Sequence, residues 1–333
     1  MKRNRALTQK LIILSVLIVM FAFFALMKPG FASWMNIMNI ALSTCVNGLL
    51  AIAVTFVITT AGIDLSIGTT MTFSCVMSGI AFTAWGFPIG LAIVFGFLVG
   101  AVCGGTSGFA VAKMKLPPFI ATLSMQMMTK GLSLVVSGIK PVYFTAAPSY
   151  QKIALGSVIG QLFRQIFPGI DAPWWLDNIY NAFLLFILGV VIAYVLYSRT
   201  LLGRYTQAIG SNEESARLSG INTDRWKMLV YMVSGLFSAF AGLIMSARLN
   251  SAQPQLGAGY ESEAIAAAVI GGTSMSGGEG SIPGTVIGAF IISVLANGLR
   301  SMAVTTEWQT VVTGTVLAGA VYFDLLRKRG RTN

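Results

Sequence analysis

Long apolar runs, separated by short polar or glycine-rich stretches, divide the chain into ten segments, roughly 11–27, 40–61, 67–85, 87–112, 116–137, 179–197, 228–247, 264–276, 283–299 and 307–324. A helix crosses the hydrocarbon core of a bilayer in about 20 apolar residues, and all but one of the runs come near that length. The eighth, 264–276, is too short and predicts a broken or re-entrant segment, which a membrane tolerates where protein or a watery cavity covers the backbone. The first run follows Lys2, Arg3, Arg5 and Lys10. It is long for a signal-peptide core and no clean small-x-small site follows, so it reads as an anchor. The pattern predicts an all-α integral membrane protein, a polytopic bundle of about ten transmembrane helices forming one domain over 1–333. Polar segments 138–178 and 248–263 fall on one side of it, and the charged loop 198–227 on the other.

Composition supports this reading. Of 333 residues, 55% are hydrophobic and 10% charged, against about 25% charged in an ordinary soluble domain. The net charge of +11 could suggest nucleic acid, but 22 Lys and Arg scattered between apolar runs make no basic face. Cys45, Cys75 and Cys103 lie inside apolar runs without metal-ligand spacing. There is no His, and with so few carboxylates neither a metal site nor Ser-His-Asp chemistry has its parts. Ten spans put both termini on one side. On that side fall fifteen Lys and Arg, at the two termini, at Lys113 and Lys115, and between Arg199 and Lys227; six fall on the other. Cytoplasmic segments carry the Lys/Arg excess, so both termini are expected in the cytoplasm.

Inside the spans the small and polar residues are ordered. Gly96, Gly100, Gly104 and Gly108 strip one face of the fourth run, which lets another helix approach closely. Packing within the chain is the first reading and a seam between two copies the second. Polar or small residues recur at every fourth position, hence on one helical face, in three runs. These are Ser43, Asn47, Ala51, Thr55 and Thr59; Thr122, Gln126 and Lys130; and Thr285, Ala289, Ser293 and Asn297. Two readings stand: a hydrated path for a neutral polar solute, with Asn47, Thr55, Thr59, Gln126, Ser293 and Asn297 as its candidates, or interhelical hydrogen bonding. Lys130 is expected to snorkel towards an interface. Asp64, in Gly62-Ile-Asp-Leu-Ser-Ile-Gly68, is the one carboxylate closely enclosed by apolar sequence. An ionisable residue there is a functional candidate. At a helix boundary, however, Asp64 or Ser66 would cap the following helix, and that is the preferred reading.

The glycine-rich stretch 271–284 holds neither G-x-G-x-x-G nor G-x-x-x-x-G-K-[ST]. Energy for uphill transport would have to arrive from elsewhere. In the loop 198–227, Ser211-Asn-Glu-Glu214 fits a capping box with Ser211 as N-cap. Gly220 can end the resulting two-turn helix, Asn212–Ser219, and Glu213 can pair with Arg217 four residues on. A short, rigid, charged helix in a charged loop is a feature another protein can grip.

These residues resemble the permease subunits of bacterial ABC sugar importers of the ribose/galactose type. The resemblance rests on Gly62-Ile-Asp-Leu-Ser-Ile-Gly68, Pro118-Phe-Ile-Ala-Thr-Leu123, Leu202-Gly-Arg-Tyr205, Ser211 to Ile221, Ala247 to Pro254, and the blocks from Gly259 to Gly278. Gly210-Ser-Asn-Glu-Glu-Ser215 departs from the family's usual Gly-Gly-Asn-Glu-Ala-Ala and keeps the cap and the charge. The resemblance implies a multi-pass protein of the bacterial inner membrane, not itself an enzyme, that moves a monosaccharide by alternating access. It implies a cytoplasmic ATPase partner that holds ATP and Mg, so that this chain carries no cofactor or metal. It also implies a periplasmic or extracellular binding protein, a second permease copy (a homodimer or a heterodimer) and a lipid surround. Asn212, Glu213, Glu214, Arg217 and Gly220 then belong to the helix that couples to the ATPase. Lys140, Lys152, Arg248, Glu261 and Glu263 become exposed charges facing the binding protein. A nucleoside, polyol or signalling-molecule importer of the same architecture, an ion-coupled carrier and a passive channel remain as alternatives.

Overall fold

The computed structural model describes residues 2–168 and 173–332, with side chains over 10–168, 173–322 and at 324. In chain order the elements are α1 (Lys2–Met27), α2 (Trp34–Thr59), α3 (Ile67–Thr83), α4 (Ile89–Ala112), α5 (Pro118–Ser137), β1 (Val142–Tyr143), α6 (Tyr150–Leu155), α7 (Val158–Ile166) and α8 (Trp174–Asp177). They continue with α9 (Asn181–Arg199), α10 (Leu201–Ser211), α11 (Glu213–Leu218), α12 (Thr223–Leu249), β2 (Ser251–Ala252), α13 (Tyr260–Ile270), α14 (Ile282–Ser301) and α15 (Thr306–Thr332).

Each of the ten apolar runs coincides with a helix, the eighth only as far as Ile270. Among the described residues α1, α2, α4, α5, α9, α12 and α14 are long and apolar enough to cross a membrane, and α3 is a shorter apolar helix of 17 residues. The two remaining runs fall on α13 and α15. Eleven residues of α13 rise about 16 Å, half of a bilayer core, and the chain then turns back through 271–281. This is the broken segment that its short run predicts.

α2 is the axis of the bundle. Residues 44 to 59 are all buried, polar positions included, so no face of this stretch is left to lipid. α12, α13, α14 and α9 surround it. α1 lies outside that ring, where the Phe24 ring occupies the space that Gly298 leaves on α14. The two polar segments are joined: β1 pairs antiparallel with β2, Val142 opposite Ala252 and Tyr143 opposite Ser251.

The glycine ladder packs within the chain. Gly100 and Gly104 meet the backbone of α12 at Gly235 and Tyr231, and a Cβ on Gly100 would lie 2.5 Å from the Gly235 carbonyl oxygen. Gly108 meets Met228, and Gly96 meets Ser74 of α3. Helices in lipid associate through such close approach, with no hydrophobic force between them. Gly104→Val should therefore lower thermal stability in detergent by about 1–3 kcal/mol or more, the usual effect of overpacking. Gly131→Ala, which points into open space, should leave the melting temperature unchanged. Equal melting of the two variants would contradict the seam.

Candidate functional site

At one end of the bundle the chain makes an elbow between α10 and α12. Asn212 is extended (φ −162°, ψ 105°), and its Oδ1 accepts the Ser215 N–H at 2.8 Å. Asn212 is thus the N-cap, not Ser211. The Ser211 hydroxyl donates instead to the Gln207 carbonyl inside α10, because the residues before it are helical. The far end is as expected: Gly220 takes φ +83°. Ile221 N–H reaches the Ala216 carbonyl at 3.1 Å and Gly220 N–H that of Arg217 at 3.0 Å, a Schellman stop.

The charges pair differently from the sequence expectation. Arg217 donates to both carboxylate oxygens of Glu214 at 2.8 Å, and Glu213 pairs with Lys227 at 2.5 Å. Three-residue spacing brings Glu214 under Arg217, while the turn after Gly220 folds the base of α12 back onto Glu213. The carboxylate beside it, by hydrogen bond and then by charge, holds the Arg217 guanidinium above its already high ordinary pKa. Lys113 and Lys115 reach Asp224 at 3.2 and 2.8 Å. A cleft of about 380 Å³ opens between Lys115, Glu213, Glu214, Arg217 and Asp224. Leu218, next in sequence to Arg217, is 81% exposed, an apolar residue among charges that charge patterning alone does not pick out.

Behind the elbow, three segments meet at Thr59. Its carbonyl accepts the Gly278 N–H at 2.9 Å and lies against Gly210, where any Cβ would collide with it. The Thr59 hydroxyl is 3.2 Å from the Tyr197 hydroxyl. Gly277 and Gly278, at φ +80° and +78°, let the 271–281 loop close on this point. Its other side is held by Asp324, which accepts the Ser274 hydroxyl at 3.1 Å and the Met275 N–H at 3.2 Å.

The stripes of α2 and α14 face each other in antiparallel register. Thr55 and Thr285 hydroxyls meet at 2.8 Å, and Gly48 sits opposite Ala289. Towards the β1–β2 end the stripes separate around a cavity of about 150 Å³ lined by Ser43, Asn47, Ser293 and Asn297, with Arg248, Tyr260, Glu263 and Arg300. So one end of the seam is an interhelical hydrogen bond and the other is open space. Gln126 is elsewhere, donating to Glu261 at 3.1 Å. Glu263 accepts from Asn47 at 2.6 Å. Glu261, Glu263 and Arg248 are half-buried, whereas Lys140 and Lys152 are exposed. The first three were expected as exposed charges; partners far off in sequence turn the two glutamates inward.

Asp64 is buried, and its carboxylate accepts three bonds, from Ser66 N–H at 3.0 Å, Ser66 Oγ at 2.6 Å and Ser234 Oγ at 2.8 Å. Ser66 precedes α3 but its side chain caps no helical N–H. Asp64 therefore ties the α2–α3 turn to α12. Lys130 is exposed on α5. Among the described residues no cluster of His, Cys, Asp and Glu could hold a metal.

Comparison with known proteins gives this geometry a family. The profile described as branched-chain amino acid transport system / permease component matches residues 36–321. The ribose import permease RbsC of Bacillus subtilis is 40% identical over 302 residues, covering 90% of this chain and 88% of the relative. That of Haemophilus influenzae is 38% identical over 311 residues, 92% and 90% of the two chains. The xylose transport permease XylH of Escherichia coli K12 is 35% identical over 364 residues, 96% and 93%. In structure, the chain is similar to one from an ABC transporter assigned to the metal-chelate type, solved inward-facing, with TM-score 0.50 at 16% identity over 97% of this chain and 99% of that one.

The cap at Asn212 is open to test by hydrogen exchange. Removing an N-cap costs about 1 kcal/mol, so Asn212→Ala should speed exchange of the Ser215 amide about fivefold. Ser211→Ala should leave that amide unchanged, and the reverse order would restore the capping box to Ser211.

Proposed function

The chain belongs to the branched-chain amino acid transport system / permease component family, and from that premise we propose that it is the membrane subunit of an ATP-driven importer of a monosaccharide. The observation that carries the sugar is identity of 35–40% to ribose and xylose permeases over nine-tenths of the chain. The bilayer is the bacterial inner membrane. The α10–α11 end lies in the cytoplasm with both termini, as the Lys/Arg excess on that side requires, and the β1–β2 end faces the binding protein.

ATP and Mg belong to a separate ATPase, and this chain catalyses nothing. Its α11 is the coupling helix. Leu218, exposed beside the charged cleft, and the Glu213, Glu214 and Arg217 side chains enter a groove of that partner. Two permease copies face one another, each with its own coupling helix. ATP binding draws the two helices together and opens the bundle outwards; hydrolysis resets it. Each push on α10 reaches α2 and the 271–281 loop through the Gly210–Thr59–Gly278 junction. Small residues are needed there, because a side chain would hold the three segments apart. Asn47, Thr55, Thr59, Ser293 and Asn297 serve the solute path along the α2–α14 seam, with Thr55 and Thr285 as its closed point. Gln126 steadies α13 through Glu261. Such a path needs only modest affinity, since a ligand shifts a two-state equilibrium through its difference in affinity for the two states.

Reversal of the docking charges tests the coupling. In proteoliposomes with ATPase and binding protein, Glu213→Lys combined with Glu214→Lys should cut ATP-driven sugar uptake by about tenfold or more, as juxtaposed like charges cost several kcal/mol. The variant should remain folded and monodisperse. Uptake equal to wild type would remove α11 from the interface.

A further inference from the structure

The cavity between α2, α12, α13 and α14 brings two unmet buried polar atoms together with two arginines. Asn47 Oδ1 and Ser293 Oγ are buried and have no hydrogen-bond partner; the two residues are only 7% and 2% exposed. Both line the same space, with Asn297 beside them. Arg248 and Arg300 also line it, and neither is ion-paired among the described residues. The one carboxylate of the wall, Glu263, already accepts from Asn47 Nδ2. A buried polar atom left without a partner costs about 1–3 kcal/mol, so a hydrogen-bonding occupant, ordered water or a solute that displaces it, is expected.

The chemistry of the wall selects the occupant. Asn47 Oδ1 only accepts, the two guanidiniums only donate, and the Ser293 hydroxyl does both. A carboxylate or phosphate can answer the arginines but cannot donate to Asn47. An ammonium ion can donate to Asn47 but cannot accept from the arginines. A polyhydroxyl compound does both through each hydroxyl. The cavity, at about 150 Å³, is many times the ~10–15 Å³ that one water needs. The Thr55–Thr285 contact lies about two helical turns further along α2, outside the lining of the cavity.

We propose that this pocket is a binding site for one neutral polyhydroxyl molecule, an aldose, held by Asn47, Ser293, Asn297, Arg248 and Arg300. The proposal rests on the reading of the chain as a sugar importer and deepens it. The permease itself recognises the sugar, so selectivity does not rest with the binding protein alone.

The test uses the full-length chain in nanodiscs, purified with the subunits that stay bound to it and without the binding protein. Saturation-transfer NMR titrations follow D-ribose, D-xylose and, as an anionic control, D-ribonate. Wild type should bind at least one of the two sugars saturably and more tightly than ribonate. Ser293→Ala removes a hydroxyl with no partner in the protein, so the fold is kept, and should weaken sugar binding about fivefold; Arg300→Met should weaken it about tenfold. Equal affinity in wild type and both variants would overturn the pocket, as would tighter binding of ribonate. No saturable binding by a wild-type complex that still imports sugar with ATP would overturn the pocket and leave the importer standing. Neither binding nor ATP-driven import of any sugar would overturn both.

Discussion

Helices in a bilayer gain nothing from the hydrophobic effect by touching one another, because lipid tails are as apolar as their side chains. This bundle holds where backbones come close enough for dispersion and polar contact to act, and that closeness depends on missing side chains. Gly100, Gly104 and Gly235 bring α4 and α12 together. Gly210, Gly277 and Gly278 do the same for α10, the end of α2 and the re-entrant loop. The first group makes a rigid wall. The second makes a joint at which three separate stretches of chain share the Thr59 carbonyl region.

The joint links the two regions that carry the proposed function. Thr59 ends α2, and Thr55, one turn earlier, meets Thr285 across the seam. A displacement of α10 therefore arrives one helical turn from the closed point of the seam. Twelve residues separate Thr59 from Asn47, about 18 Å along a helix, so the same rigid α2 joins the elbow at one end to the polar cavity at the other. A helix buried over every residue from 44 to 59, with the Phe186 ring packed against its one internal glycine, Gly48, is suited to carry such motion.

Much of this was legible in the sequence, and the failures have particular causes. The nine long runs proved helical because a membrane demands long apolar stretches and the signal is strong; the short eighth is helical only to Ile270. The glycine ladder and the α2 and α14 stripes were readable because a four-residue period puts them on one face. What the period could not say was whether facing stripes touch. They do at Thr55 and Thr285, and part at Asn47 and Ser293. The cap moved by one residue, from Ser211 to Asn212, because both are good caps and only the backbone turn decides between them. Glu261 and Glu263 read as exposed charges since their partners, Gln126 and Asn47, lie more than a hundred residues away. The exposure of Leu218 and the pairing of Lys227 with Glu213 were not legible before the elbow was folded.

The central claim is that this chain is driven by a separate ATPase gripping α11. Purification from the native membrane in mild detergent, followed by mass spectrometry of whatever remains bound, tests it most directly. The account predicts a stoichiometric subunit carrying a phosphate-binding loop. A folded permease recovered repeatedly without such a subunit, from membranes whose uptake collapses with an ion gradient and persists without ATP, would contradict it.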